Sequence, residues 1–503
     1  SYDISVHVGE NRSDFFIMNT VNPSLGPQSP TQFNPGSYIQ LEKNFNADFV
    51  RTIPMDSFDL NFAYGFEWRE EQFEIVNGDV ASFTTGPYFN QGFGIGSNGF
   101  AGFTPDIAGV WDQQNYAVYL DFEGDVTENL LLGLATRYED FDTFGDTTNL
   151  KLSALYRITE DLKFRTTIST GFRAPTPGQS NVSNVTTASI SGTGELVQQG
   201  TLSPTNPISA TAGGKALQPE ESDNYSVGFV ITPANIDGLT ITADYWSIDK
   251  ENTIGLFGRE NHTVQDMLLR IANGNNNCDT FGGHGVIERS APDADQIAAA
   301  NAAGICPFGN VNFVADNYLN LADRKIEGFD LGVYYNFDTD VGDFSIRYIG
   351  SFIDTFEQEP GGVFADMAAR KANGDIPADI PLGGFGDLLL MDGNYDNKHT
   401  FRASYRSGPF GANLTALKKG EFYQNSLTRP DGTKFMIDSM MTMDLSFDYR
   451  FDLDTPGVTA RVRFAIKNFT DERAPLADRY YGYFADAHQD YGRNYYLDLN
   501  VKF

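Results

Sequence analysis

No stretch of about 18 uncharged apolar residues occurs in the chain, so nothing in it reads as a membrane-spanning helix. That absence leaves strands untouched, because a barrel crosses a bilayer on alternating segments whose hydropathy signal is weak. Basic residues are scarce: 35 Lys and Arg stand against 67 Asp and Glu, a formal net charge of −32. This balance argues against a nucleic-acid partner. Cysteine is scarcer still. Cys278 and Cys306 are the only two, too few for a CxxC-type metal cluster. The five histidines, His7, His262, His284, His399 and His488, are scattered without HExxH spacing. The serine of TISTGFR does not sit in a GxSxG elbow. No catalytic residue, metal ligand or cofactor site is therefore assigned. Ser1 opens neither a basic nor an apolar targeting segment, and the expectation is a processed form or a fragment.

What the chain does have is aromatic rings, 41 Phe and 24 Tyr, at a mean hydropathy of −0.33. Those rings recur with period two. Phe58, Leu60, Phe62, Tyr64, Phe66 and Trp68 alternate with Asp59, Asn61, Glu67 and Arg69. Met441, Met443, Leu445, Phe447, Tyr449 and Phe451 alternate with Thr442, Asp444, Ser446, Asp448 and Arg450. Such alternation marks a sheet with one apolar and one polar face. A soluble β-sandwich alternates too, but its strands are mostly about 5–6 residues long. The runs here are longer, and their polar face is dense in charge. The fold class expected is all-β, a transmembrane antiparallel β-barrel.

Connections fall into two kinds. Short turns occur at IPMDS (53–57), DVTEN (125–129), ITED (158–161), DTDVGD (338–343), SGPF (407–410) and DLDTPG (452–457). Long ones fall near 23–37, 78–112, 174–221, 254–317, 358–394 and 471–491. Alternation of short and long, with one tighter turn near FGDT (144–147), is what periplasmic turns and extracellular loops produce, with about 16 strands in all. Aromatics gather at strand ends, as at Phe16, Trp68, Tyr138, Phe172, Tyr245, Trp246, Tyr348, Phe451 and Tyr495, where interfacial girdles form.

Several segments are familiar. The stretch 114–176 ends in GFRAPT, with Gly171, Phe172, Arg173, Ala174 and Pro175. LQPEESDNYSVGF (217–229), ADYWSIDKENTIG (243–255), YLNLADRKIEGFDLGVYYNF (318–337) and KNFTDERAP (467–475) follow in order. As a set, across almost the whole chain, they resemble the barrel of TonB-dependent outer-membrane receptors. The resemblance implies a 22-stranded barrel with a plugged lumen, of which residues 1–503 are the barrel domain without the plug and first strands. It also implies energised uptake of a scarce ligand in a Gram-negative outer membrane. The expected partners are the inner-membrane TonB complex, reached through the absent N-terminal region, outer-membrane lipids and lipopolysaccharide, the outer-membrane assembly machinery, and a small-molecule or oligomeric ligand. The ligand class stays open between iron chelates, oligosaccharides, peptides and cobalamin-like molecules. Two alternatives stand beside this: a 16-stranded passive porin, and more remotely an outer-membrane barrel enzyme.

The ending GRNYYLDLNVKF places Tyr495, Leu497, Leu499, Val501 and Phe503 on one face. It resembles the signal by which assembly machinery recognises barrels. The 254–317 loop should carry short helices. One runs over 263–273, with Val264, Met267, Leu268 and Ile271 on one side and Gly274 at its end. A second is expected to be capped by Ser290, with Pro292 near its start and Gly304 beyond its end. Cys278 and Cys306 bracket that second helix, and in an oxidising compartment a disulfide should staple the loop. Within 471–491, Tyr480, Tyr481, Tyr483, Phe484 and His488 cluster as candidate ligand contacts, with packing among loops as the plainer reading. GNNNCD (274–279) and the Ser/Thr/Asn-rich 180–211 suit either a polar ligand or a flexible loop.

Overall fold

The computed structural model describes residues 1–91, 93–189, 196–274, 278, 281–377, 380, 382–453, 457–479 and 481–502. Their main feature is a 17-stranded sheet. One member is the two-residue Gly386–Asp387. The others are long and are numbered here β1 (Tyr2–Met18), β2 (Gln32–Pro54), β3 (Asp59–Asn77), β4 (Gly109–Thr127), β5 (Leu130–Phe141), β6 (Gly145–Arg157), β7 (Leu162–Arg173), β8 (Glu220–Ile231), β9 (Leu239–Glu251), β10 (Arg324–Thr339), β11 (Gly342–Gln358), β12 (Asn397–Ser407), β13 (Phe410–Lys419), β14 (Met440–Asp452), β15 (Thr459–Lys467) and β16 (Asn494–Lys502). Each pairs antiparallel with the next along the chain. Among the described residues no pairing joins β1 to β16.

Register confirms the two faces read from period two. Tyr64 stands opposite Leu120 and Phe49, Tyr245 opposite Phe329, and Phe447 opposite Phe464. Phe49 is half-buried, and the other residues of these pairs, with their neighbours Tyr116, Val118, Leu134 and Phe229, are exposed. In a sandwich a second sheet would bury that face; here it is the lipid face of a barrel wall. The last strand conforms, with Tyr495, Leu497, Leu499 and Val501 opposite Ile466, Phe464, Val462 and Ala460. Phe503 lies outside the described residues. One girdle expectation fails. Trp246 lies on the inner face, opposite Gly328, where a Cβ would come within 3.0 Å of its ring.

Short turns join strands at one rim and long connections at the other, apart from the tight turn between β5 and β6. One long connection escaped the sequence reading. Residues 420–439 fold as a hairpin, Phe422–Thr428 against Lys434–Ile437.

The buried apolar clusters lie at the long-loop rim rather than along the wall. One joins Val286, Val311 and Val314, another Phe257, Leu268, Phe364, Met367 and Leu382, and a third Phe422, Ile437 and Phe484. Lipid accounts for the wall's apolar face, so water-driven burial is concentrated in the loops, which form a folded cap.

Candidate functional site

Along the inner wall, opposite charges answer each other across strands. The Arg137 guanidinium lies 3.1 Å from Glu67 and 2.9 Å from Glu139. The Tyr119 hydroxyl donates to Asp48 at 2.7 Å. Asp448 accepts from Arg406 and Arg461, each at 3.1 Å. These pairs give the lumen a polar lining with many of its charges already satisfied.

The GFRAPT segment is where the wall turns into the cap. Arg173 Nε donates to Glu220 Oε2 at 2.5 Å, and the buried Glu220 also takes Lys250 Nζ at 3.0 Å and the Ile254 N–H at 2.6 Å. One carboxylate thus ties the upper ends of β7, β8 and β9 to the start of the long loop. Phe172 packs on Phe141 and Phe144. A Cβ at Gly171 would meet the Ser222 hydroxyl at 2.6 Å. Thr176 then caps a short helix, Pro177–Asn181, in a capping box with Gln179. That helix, with Thr176, Pro177 and Gly178, roofs a cavity of about 470 Å³ against β1–β3 that reaches His7, Asn11 and Gln72. The motif residues are structural in this geometry.

The cap is a small folded unit built from several loops. The first expected helix spans Arg259–Asn273 and ends at Gly274. Its Asp266, fully buried, accepts from Arg270 at 2.9 Å, from Arg289 at 3.0 Å and from the His284 N–H at 3.0 Å. Burial alone would raise its carboxyl, but these hydrogen bonds and the two guanidinium charges outweigh it and hold the group below the usual carboxylate range. Both guanidinium groups also stack over Phe308. His262 Nε2 lies 3.3 Å from Asp316, and its ring stands 5.4 Å from that of His284.

The second helix spans Ala294–Ala303 and has Gly304 beyond it. Its cap is Asp293, in a capping box with Gln296, rather than Ser290. Ser290 instead exchanges hydrogen bonds with Asn310 across a ladder. Cys278 and Cys306 form a disulfide with a Cα–Cα distance of 5.2 Å. The 180–211 stretch is more ordered than a flexible loop. Asn184–Ser189 and Leu196–Leu202 are strands, and the second runs parallel to Val311–Asn320. Residues 190–195, like most of GNNNCD, lie outside the described residues. The 359–396 connection adds a helix, Val363–Ala372, which the sequence reading did not anticipate. It docks through Phe364 on Phe257 at 4.5 Å, while Asn261 and Gly383 exchange hydrogen bonds.

The aromatic cluster of the last loop divides. Phe484 and His488 are each 2% exposed. Phe484 meets Phe422 edge-on at 5.2 Å, and His488 stacks on Phe422 at 5.5 Å. Phe484 is therefore a packing residue. Tyr481 is 68% exposed, and Tyr483, half-buried, lies beside it at 6.2 Å. Tyr480 lies outside the described residues. Among the described residues no group of three or more His, Cys, Asp or Glu is placed to hold a metal ion.

Comparison with known proteins agrees with this architecture. The siderophore receptor PirA of Acinetobacter baumannii superposes with a TM-score of 0.56 at 13% identity, over 99% of this chain and 59% of that one. A variant of the ferric enterobactin receptor PfeA of Pseudomonas aeruginosa gives 0.57 at 12% identity, over 99% and 59%. The ferric-catecholate import receptor Fiu of Escherichia coli K12 gives 0.50 at 12%, over 99% and 61%. The chain thus spans about three-fifths of the length of these structures. No curated protein matches the sequence. The family whose model matches this chain is one of receptors rather than enzymes, and it places the chain in the outer membrane of a Gram-negative cell. The family model for the TonB dependent receptor-like β-barrel matches residues 4–469, and with the wall, lumen and cap described above the chain belongs to that family.

Proposed function

We propose that this chain forms the barrel of a receptor that captures a scarce ligand at its cap and imports it with energy delivered through TonB. The observation that carries the reading is the cap itself. A passive pore gains little from a stapled, multi-loop folded unit at its mouth, whereas a capture device needs surfaces held in fixed relation. An iron chelate is the ligand class we favour, since the solved neighbours are described as siderophore, ferric enterobactin and ferric-catecholate receptors. The exposed Tyr481, with the half-buried Tyr483 beside it, would suit the flat face of such a chelate.

A 16-stranded porin would need β1 and β16 to pair. Among the described residues they do not, and their unpaired edges would be intolerable in lipid. We therefore infer that additional strands, with a plug, are supplied by sequence preceding Ser1 in the whole protein. Intact-mass measurement of the native protein tests this; a mature protein beginning at Ser1 would restore the porin. Energised uptake is tested by transport of a labelled ferric chelate in cells with and without TonB. Uptake that persists without TonB, or after collapse of the proton gradient, overturns the transport reading.

A further inference from the structure

Beneath the last loop, on the inner face, lies a small cavity of about 90 Å³ at the upper ends of β13 and β14. Lys419, Thr442, His488 and Gln489 supply its polar lining. Lys419 and Thr442 lie on the inner face by register, on the side of Asp444 and Asp448. His488 is 2% exposed, yet neither of its ring nitrogens has a hydrogen-bond partner among the described residues. An orphaned buried imidazole is costly, so a species inside the cavity must satisfy it.

The surrounding charge says which kind. Lys419 stands directly opposite Lys398 in the ladder, and neither lysine makes an ion pair among the described residues. Lys419 donates one N–H to the Ala487 carbonyl, which ties it to the residue before His488 and leaves two donors on the ammonium. Of the two loop acids that flank His488 two residues away, Asp490 is already occupied by Arg473 at 2.5–2.7 Å and Asp486 is exposed to solvent. In a chain of net charge −32, this is a local excess of unspent cationic donors around a cavity with an unsatisfied imidazole.

We propose that this cavity is an oxyanion subsite in the import path. It would take a carboxylate, phosphate or phenolate oxygen of the ligand on Lys419 and the His488 imidazole, with Thr442 and Gln489 as neutral partners. The subsite deepens the uptake reading and rests on it for a ligand that reaches the lumen.

The test uses the whole native protein, with any sequence that precedes Ser1, in detergent micelles with ¹⁵N-labelled histidine, and inorganic phosphate as the probe. No energy source or TonB is present, so the result stands apart from the transport assay. The expected result is a saturable shift of one imidazole, lost in His488→Gln. Affinity should fall at least tenfold in Lys419→Met, which keeps the aliphatic stem, and a few-fold in Lys398→Met, which breaks no hydrogen bond among the described residues. Should Lys419→Met unfold, Lys398→Met carries the decision alone. An imidazole indifferent to phosphate means that water alone fills the cavity, and the proposal falls. Unchanged affinity in a folded Lys419→Met or in Lys398→Met overturns it equally.

Discussion

Asp266 and Arg289 meet at 3.0 Å inside the cap, 23 residues apart, with Arg270 on the same carboxylate. Two guanidinium groups converge on one fully buried acid, so removing the acid leaves two buried cations unanswered. Asp266→Ala should cost about 3–5 kcal/mol of local stability, and Asp266→Asn less, because it preserves shape and one acceptor. Hydrogen exchange of the 259–273 amides reads the change. The barrel strands should remain protected, since none of them contributes to this centre.

His284 gives the cap an acid limit. Burial, reinforced by His262 and partly opposed by Asp266, pushes its imidazole from 6.5 down to about 4. The unfolded cap would take up a proton near pH 6.5 while the folded one refuses it until about pH 4. Stability of the cap therefore falls as pH falls through that window. Asp266, depressed below its usual 3.8, loses its contribution only at still lower pH. Protection factors of the same amides, corrected for the intrinsic slowing of exchange at lower pH, should fall between pH 7 and pH 5, and His284→Gln should flatten the dependence.

The disulfide closes a separation of 28 residues around the Ala294–Ala303 helix. Loop-closure entropy for that length is worth about 3–4 kcal/mol. Reduction, or Cys278→Ser with Cys306→Ser, should expose the 279–305 segment to limited proteolysis and leave the wall intact. Equal cleavage with and without reductant would show that packing alone holds the loop.

Two aromatic residues three apart should behave oppositely. Phe484→Ala empties a packed site against Phe422 and Ile437, at about 3–5 kcal/mol. Tyr481→Ala removes a largely exposed ring and should shift stability by less than about 0.5 kcal/mol. If Tyr481 contacts the imported chelate, its loss weakens binding at unchanged thermal stability. Melting curves and ligand titration on the two variants separate the roles.

Period two and the alternation of short and long connections made the wall legible, because a bilayer enforces one apolar face over many residues. The cap was legible only where a local rule applied. The 259–273 helix showed its apolar spacing and Gly304 its capping role, whereas Asp293 was overlooked in favour of Ser290 because both residue types cap helices. The Asp266 centre draws on residues that look like solvated charge in sequence; the Asp266–Arg270 spacing of four was the one available hint. Trp246 was assigned to the girdle by type, but its register puts it inside. His488 could be suspected from its aromatic neighbours, while the opposed Lys398 and Lys419 emerge only once β12 and β13 are aligned.

Leu196–Leu202 lies parallel to Val311–Asn320, with Gln198 opposite Phe313. Two barrel strands and the stapled loop separate these segments along the chain. The pairing cannot form until β8 and β9 have crossed and delivered the second segment to the same rim, and closing so large a gap is slow. The expected order is therefore a local one: β8 and β9 are in place before this part of the cap is finished. A chain stalled before β9 is in place would hold its first strands in the membrane with this cap pairing still open.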